Sequence, residues 1–325
     1  MVESEEPVET QETPAPARRV RRFDLVSRRN WFFLLSLLII VPGIISMVTR
    51  GFLLGIDFQG GTEFTMQFNG SPSLAEVQAA VSKEGVNGTV QQTGNGTFYI
   101  RTAPITNAPS QKKFEDDISK AVGLSYDESK SSVDFVGPTI AGEIVTGALI
   151  AVVSASVLIL AYLAFRFRRV QGGWRSGFQF GGSALLALLH DVFLLCGVFS
   201  ILGKVFGLRI GEIDSLFLTA VLTVVGFSVH DTIVVFDRVR ENLIAAPRLT
   251  FEQTVNLSVM QTAARSIITS FTVVLVLLAL LLFGGDTLRG FTLALLVGIV
   301  SGTYSSIFNA APLLVVWRRM QGAAR

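Results

Sequence analysis

Five ionisable side chains stand inside stretches that are otherwise apolar: His190, Asp191, His230, Asp231 and Arg265. They include both histidines of the chain. A charge in hydrocarbon costs several kcal/mol, so residues of this kind mark pairing, conduction or a relay. Three chemistries suit the residue types. Asp231 and Arg265 can form an ion pair that fixes helix register, because opposite charges at one depth on consecutive helices offset part of each other's burial cost. Two His-Asp dipeptides offer metal ligands, but neighbours on a helix point about 100° apart and do not both face one ion comfortably. The third chemistry is a proton relay: a carboxylate in low dielectric holds its proton, and a nearby arginine releases it. Ser228, two residues before His230, suggests a serine nucleophile as well, yet residues two apart on a helix do not face each other. The residues themselves leave the ion pair and the relay open.

Such side chains need helices of membrane length to carry them. Only 16% of the 325 residues are charged, 50% are hydrophobic, and the mean hydropathy is +0.54. A soluble chain carries about 25% charge. The deficit lies in apolar runs of about 18 residues or more, the length that crosses a hydrocarbon core of roughly 30 Å. The runs cover 31–48, 140–165, 181–202, 214–236, 262–283 and 291–317. A polytopic α-helical protein with six transmembrane helices is expected. On the fourth helix Asp231 stands about 10 Å before the basic end, and Arg265, a few residues into a fifth helix beginning near Val259, comes to a similar depth. The single cysteine, Cys196, lies in an apolar run, so no intrachain disulfide can form.

Charge sets the orientation. Residues 1–17 carry Glu3, Glu5, Glu6, Glu9 and Glu12 with Pro7, Pro14 and Pro16, a composition that builds no core. Arg18, Arg19, Arg21, Arg22, Arg28 and Arg29 then precede the first run. That run is longer than a signal-peptide core of about 7–15 residues and has no A-x-A-like site after it, so it reads as an uncleaved helix. Arg166, Arg168, Arg169 and Arg175 follow the second run, Arg238, Arg240 and Arg248 the fourth, and Arg318, Arg319 and Arg325 the sixth. The opposite loops are poorer, with Lys204 and Arg209 in one and Arg289 in the other. Positive charge stays on the cytoplasmic side, which places both termini there and residues 51–136 outside. The expected division is a disordered tail with a basic end over 1–29, the first helix over 30–50, an exterior domain over 51–138 and a membrane domain over 139–325.

The exterior stretch alternates as strands do over 62–68, 89–92, 97–101 and 131–136. Helical patterns lie at 73–84, with Ser73 as N-cap and Glu76 three residues on, and at 110–122. Strand, helix, strand, strand, helix, strand is the order of an α+β ferredoxin-like domain. Gly94, Asn95 and Gly96 suit the hairpin between the middle strands, and Gly60 and Gly61 suit a turn or bulge at the domain's entry. Pro42 and Gly43 suit a kink in the first helix. Gly298, Gly302, Ser306 and Ala310 form a stripe for close helix packing. Asp237, Arg238, Arg240 and Glu241 read as a solvated face. No G-x-x-x-x-G-K-[ST] occurs, which excludes a P-loop ATP site.

Several of these segments together resemble the SecD/SecF family of the resistance–nodulation–division superfamily. The stretch Gly55-Ile56-Asp57-Phe58-Gln59-Gly60-Gly61-Thr62 is similar to the signature that opens the family's exported domains. Val136-Gly137-Pro138 and His190-Asp191-Val192 are similar to family segments as well. The longest match runs from Gly226 through Ser228, His230, Asp231, Asp237 and Arg238 to Asn242, and Arg265-Ser266-Ile267-Ile268-Thr269-Ser270 and Phe283-Gly284-Gly285 complete it. One small exterior domain with six helices resembles the SecF branch rather than the SecD branch, whose exterior portion is larger. The resemblance implies a non-enzymatic subunit without a cofactor or metal, in a bacterial cytoplasmic membrane. It implies pairing with SecD in a SecDF complex that uses the proton-motive force to assist export of a preprotein through the SecYEG channel after SecA has acted. YidC and YajC are implied as further associates, and no nucleic acid is. It ties Asp231 and Arg265 to proton passage. His230 stands where many members carry asparagine, and a histidine there joins or modulates the relay. His190 and Asp191 are secondary candidates. The alternative is a proton-driven small-molecule exporter of the same superfamily, a class that usually has larger exterior domains and twice as many helices in one chain.

Overall fold

The computed structural model describes residues 24–86, 88–93, 96–170, 172–320 and 322. The expected acidic tail, Arg18, Arg19, Arg21 and Arg22, Gly94 and Asn95 of the expected hairpin turn, and Arg325 lie outside the described residues.

The chain enters through helix α1 (Arg29–Arg50), and a small mixed unit follows. Its elements are β1 (Leu53–Leu54), α2 (Ile56–Gln59), β2 (Gly61–Gln67), α3 (Leu74–Lys83), β3 (Thr89–Gln92), β4 (Thr97–Thr102), α4 (Ala108–Val122) and β5 (Ser132–Val136). Four strands form one sheet in the order β3-β4-β2-β5, with every neighbouring pair antiparallel. Phe64 on β2 stands opposite Ile100 and Val133 in this register. Alternation then sends Phe64, Met66, Phe98 and Ile100 to one face, where Val77, Val81, Phe114 and Ile118 of the two helices bury them. Helix α3 opens with the Ser73–Glu76 capping box that the sequence spells. Helix α4 begins at Ala108, earlier than the pattern at 110 suggests, because the Asn107 side chain accepts from Ser110 N (2.8 Å) and Pro109 fits the first turn. The turn α2, inside the Gly55–Thr62 signature, carries no periodic signal.

Gly61 has φ +131°, and a Cβ there would lie 2.6 Å from the Thr102 carbonyl oxygen. The sharp entry into β2 therefore admits only glycine.

Helices α5 (Pro138–Arg166), α6 (Trp174–Ser200), α7 (Ser215–Ala245), α8 (Phe251–Phe283), α9 (Asp286–Ser305) and α10 (Ala311–Met320) follow, with strand β6 (Glu212–Ile213) before α7. One turn of π-helix, Ile201–Val205, extends α6, and another, Ser306–Ala310, joins α9 to α10. With α9 and α10 continuous, six helices are long and apolar enough to span a bilayer, at mean hydropathies of 1.7 to 2.7. The chain is a polytopic helical membrane protein.

The helices outrun the apolar segments. Helix α8 begins at Phe251, well before Val259, because Thr250 and Gln253 cap it reciprocally at 3.1 and 3.3 Å. Arg265 is therefore in the middle of its helix, not near its start. An apolar run marks only the part of a helix inside hydrocarbon, and polar end turns extend beyond it.

Close backbone approach sets the bundle. A Cβ on Gly298 would lie 2.2 Å from Val224 Cγ2, and one on Gly302 would lie 3.0 Å from Ser228 Cβ, so α9 sits directly on α7. Gly43 serves a crossing of the same kind, since a Cβ there would lie 2.8 Å from Gly197 Cα on α6.

Candidate functional site: polar groups within the helix bundle

Asp231 stands mid-way along α7 and is buried. Arg265 is mid-way along α8, each about 21 Å from the turn that joins the two helices. Among the groups near the carboxylate are His230, Arg265, Ser266 and Ser270. Its Oδ2 nevertheless makes no hydrogen bond, and neither does the buried Ser266 Oγ. Arg265 and His230 are exposed on the outside of the bundle. The direct Asp231–Arg265 ion pair offered by the sequence is not formed, because the arginine projects outward. Equal depth brought the two helically close, but rotation of α8 about its axis decided contact.

Asp191 is the more tightly held carboxylate, with 1% of its surface exposed. Its Oδ2 accepts from Ser228 Oγ of α7 (2.7 Å) and Ser305 Oγ of α9 (2.6 Å). Its Oδ1 accepts from Ser301 Oγ of α9 (2.7 Å) and lies 3.0 Å from His190 Nδ1. Ser301 and Ser305 share a face of α9 at i,i+4, and Gly302 between them lets that face reach α7. One acid thus bridges α6, α7 and α9. Ser228, which donates to Asp191 of α6, is one turn before Asp231, so the partner of one carboxylate and the other carboxylate itself occupy successive turns of α7.

The His190 ring stacks on Tyr304, with centroids 6.3 Å apart. Tyr304 Oη donates to the Phe32 carbonyl of α1 at 2.9 Å. Asn309, in the π-helical turn, bonds Ser36 of α1 at 3.0 Å. By sequence His190 and Asp191 are secondary candidates, and Ser301 and Ser305 do not stand out. The available signal was the i,i+4 pair of hydroxyls in an apolar run.

A second polar group ties the mixed unit to the start of α7. β1 pairs with β6 in parallel, Leu53 beside Glu212 and Leu54 beside Ile213. Gly55 N donates to the Ile213 carbonyl at 2.8 Å. Asp57 Oδ2 accepts from Ser215 N at 2.8 Å and from the Ser215 hydroxyl, and Asp214 Oδ1 accepts from Phe217 N at 2.7 Å. Two acidic side chains thus cap the helix that carries Asp231. Beside them, Arg101 Nε lies 2.5 Å from Glu63 Oε2 and Arg209 Nη2 lies 2.5 Å from Glu63 Oε1. Glu212 Oε2 meets Arg101 Nη2 outside hydrogen-bonding geometry. Arg209 also lies 3.4 Å over the Tyr99 ring. Burial pushes the Glu63 carboxyl up, but the hydrogen bond from Arg209 and the charges of both arginines outweigh it and hold the group below its usual value. For Glu212 burial prevails over the same arginines and leaves it above the usual value.

At the other end of α7, Asp237 bonds Arg166 (3.1 Å) and Arg240 (2.9 Å), and Arg238 bonds Glu241 (2.8 Å) and Gln261 (2.6 Å). Asp237, Arg238 and Arg240 are half-buried and Glu241 is exposed, and their bonds to Arg166 and Gln261 tie α7 to α5 and α8. Gly226 faces open space. The signature residues Asp57, Asp231, Asp237 and Arg238 therefore lie at the start, middle and end of one helix, while Gly60 and Gly61 form the entry to β2.

Residues 117–320 match the family described as "Protein export membrane protein SecD/SecF, C-terminal", and residues 45–71 match the "SecD/SecF GG Motif". A "Protein translocase subunit SecF" of Thermobaculum terrenum is 47% identical over 306 residues, covering 90% of this chain and 93% of that protein. One from Anaerolinea thermophila is 41% identical over 298 residues, covering 90% of this chain and 94% of the relative. Among solved structures, "Crystal structure of SecDF in Super-membrane-facing form" superposes with a TM-score of 0.63 at 30% identity. The match covers 93% of this chain and 39% of that one.

Proposed function

The chain belongs to the SecD/SecF family of protein-export membrane proteins, in its SecF group, and from that premise we propose that it pairs with a SecD-type subunit and couples the proton-motive force to protein export. The observation that carries this reading is an asymmetry at Asp231. A buried carboxylate keeps one oxygen without a partner, while Arg265 and His230 at the same depth face outward. Exposed charge in the middle of a span is costly against lipid and is expected to face a protein or a hydrated cavity. A second six-helix bundle against α7 and α8 supplies both. In that interface Asp231 carries the proton, Arg265 is the movable counter-charge and His230 modulates the pair.

The mixed unit is read as a ferredoxin-like domain on the exterior, at residues 51–138, with both termini in the cytoplasm and the membrane domain over 139–325. In a bacterial cytoplasmic membrane this places the Glu63–Arg101–Glu212–Arg209 ring at the outer surface, where an emerging preprotein leaves the SecYEG channel after the SecA-driven stage. Movement of the exterior domain is transmitted to Asp231 through the two acids that cap α7.

Two experiments test the arrangement. A photo-crosslinker at Ile268, which is 64% exposed and one turn from Arg265, is expected to form adducts with the SecD-type subunit. The same label at Val153 on α5 is expected to report lipid. Lipid adducts alone at position 268 would overturn the interface. With Cys196 replaced by serine, Glu84→Cys is expected to react with an impermeant thiol reagent from outside intact cells, whereas Met320→Cys stays protected. The reverse pattern would invert the orientation.

A further inference from the structure

We propose that His190 and Asp191 form a second proton-binding site, in which Nε2 of His190 takes the proton against a fixed Asp191 carboxylate. The proposal rests on the proton-coupled reading above and adds a site to it.

An ionised carboxylate offers about four acceptor positions. Three serine hydroxyls at 2.6 to 2.7 Å and the Nδ1 edge of His190 at 3.0 Å fill them. No position is left for a carboxylic proton unless one donor turns away, so the cage fits an ionised Asp191. His190 then donates through Nδ1–H, and in the neutral imidazole this leaves a bare lone pair on Nε2. That atom is buried and has no hydrogen-bond partner. Among the described residues the ion pair to Asp191 comes from His190 alone. The neutral imidazole therefore leaves a net negative charge in the bundle, and protonation of Nε2 cancels it.

Neighbouring groups do not supply that charge. Tyr304 of α9 stacks on the ring, but its hydroxyl is committed to Phe32 O. Helix α7 brings Ser228 and, one turn on, the acid Asp231. Helix α1 has ionisable residues only at its ends, Arg29 and Arg50, and α5 has none between Glu143 and Tyr162. The transfer is simple: a hydronium gives its proton to the Nε2 lone pair and leaves as water, and release reverses the step. Successive turns of α7 then join this site to Asp231 through Ser228.

A purely structural Asp191 would bridge the same three helices with His190 permanently neutral. The two roles separate in a titration. His230→Gln leaves His190 as the sole imidazole of the chain. The full chain carrying 15N-histidine, reconstituted in lipid vesicles with an unlabelled partner subunit, is examined by solid-state NMR across pH. The expected spectrum shows Nδ1–H with bare Nε2 at alkaline pH and a proton on Nε2 on acidification. Adding Asp191→Asn is expected to lower the protonated fraction at a given pH about tenfold. Ser305→Ala, a milder change, is expected to raise it, because a carboxylate with one donor fewer attracts the proton more strongly. An Nε2 that stays bare down to the lowest pH the complex tolerates, or that titrates alike in all three chains, would overturn the proposal. Gradient-driven export by Asp231→Asn vesicles separates the two levels. A retained response sinks the proton-coupled reading whatever His190 does, and a lost response with a silent His190 sinks only this site.

Discussion

Asp231→Asn is expected to abolish the stimulation of export by a proton gradient while the protein reaches the membrane at parental level and still binds its partner. The substitution preserves shape and volume and removes titration. Asparagine is tolerated structurally because Asp231 Oδ2 already lacks a hydrogen-bond partner, so no bond at that atom is lost. The energetic case is one of cycling. A carboxylate buried without a counter-charge keeps its proton, and one clamped by arginine never takes it. Coupling needs two arrangements with different Asp231–Arg265 separations, and the structure holds the one in which Arg265 stands away. Linkage then requires that protonation favour one arrangement and so bias the mixed unit joined to α7. Export measured with inverted vesicles, with and without an imposed gradient, decides the matter. Asp231→Asn vesicles that respond like the parent would make the carboxylate structural. Arg265→Lys should retain part of the response, because it keeps charge but loses the planar fork.

The second large effect concerns the joint above α7. Arg101→Met is expected to loosen the mixed unit from β6 and the start of α7 at a cost of about 3 kcal/mol, the lower end of what breaking a buried pair costs. The side chains of Arg101, Glu63 and Glu212 are only 11%, 8% and 11% exposed, so little water is available to compensate the acids left behind. Arg209 remains to hold Glu63, which sets the lower end. Hydrogen exchange should show faster opening at β1, β6 and Ser215, with a lower melting temperature in detergent. Adding Glu212→Gln should recover part of the loss by removing an uncompensated charge. An Arg101→Met protein that melts and exchanges like the parent would show that the ring contributes nothing.

Acid should act on this joint in two opposed steps. Glu212 sits above its usual value because burial dominates, so its penalty is present at neutral pH and is relieved as pH falls through its folded value. Glu63 is held below its usual value, so its contribution is present above the unfolded value and is lost as pH falls through the folded one. Mild acidification should therefore steady the joint and stronger acid should release it. Glu212→Gln should abolish the first step and leave the second.

Much of the architecture was written locally. Runs of apolar residues set the six spans, because a bilayer accepts only segments of sufficient length whose backbone bonds close internally. Period-two alternation placed Phe64, Met66, Phe98 and Ile100 on one face of a sheet, and Ser73 with Glu76 spelled the start of α3. The Gly55–Thr62 and Gly226–Asn242 segments carried the family resemblance, and Asp231 was legible as a buried acid. These signals lie within a few residues of one another, so a single chain segment contains them whole.

What the segments could not contain was which way each helix faces and which distant side chains meet. The sequence offered Arg265 as a partner at the depth of Asp231, but rotation of α8 sends it outward. Asp191 looked secondary until Gly302 allowed α9 to approach α7 and bring Ser301 and Ser305 around it. Glu63, Arg101 and Glu212 come from the strands β2, β4 and β6 and Arg209 from the turn before β6, and no periodicity links them. Hydrophobic pattern fixes that a helix is buried and how deep it lies. Its rotation and its polar contacts follow from close packing across glycines and serines, a property of pairs of segments that neither segment encodes alone.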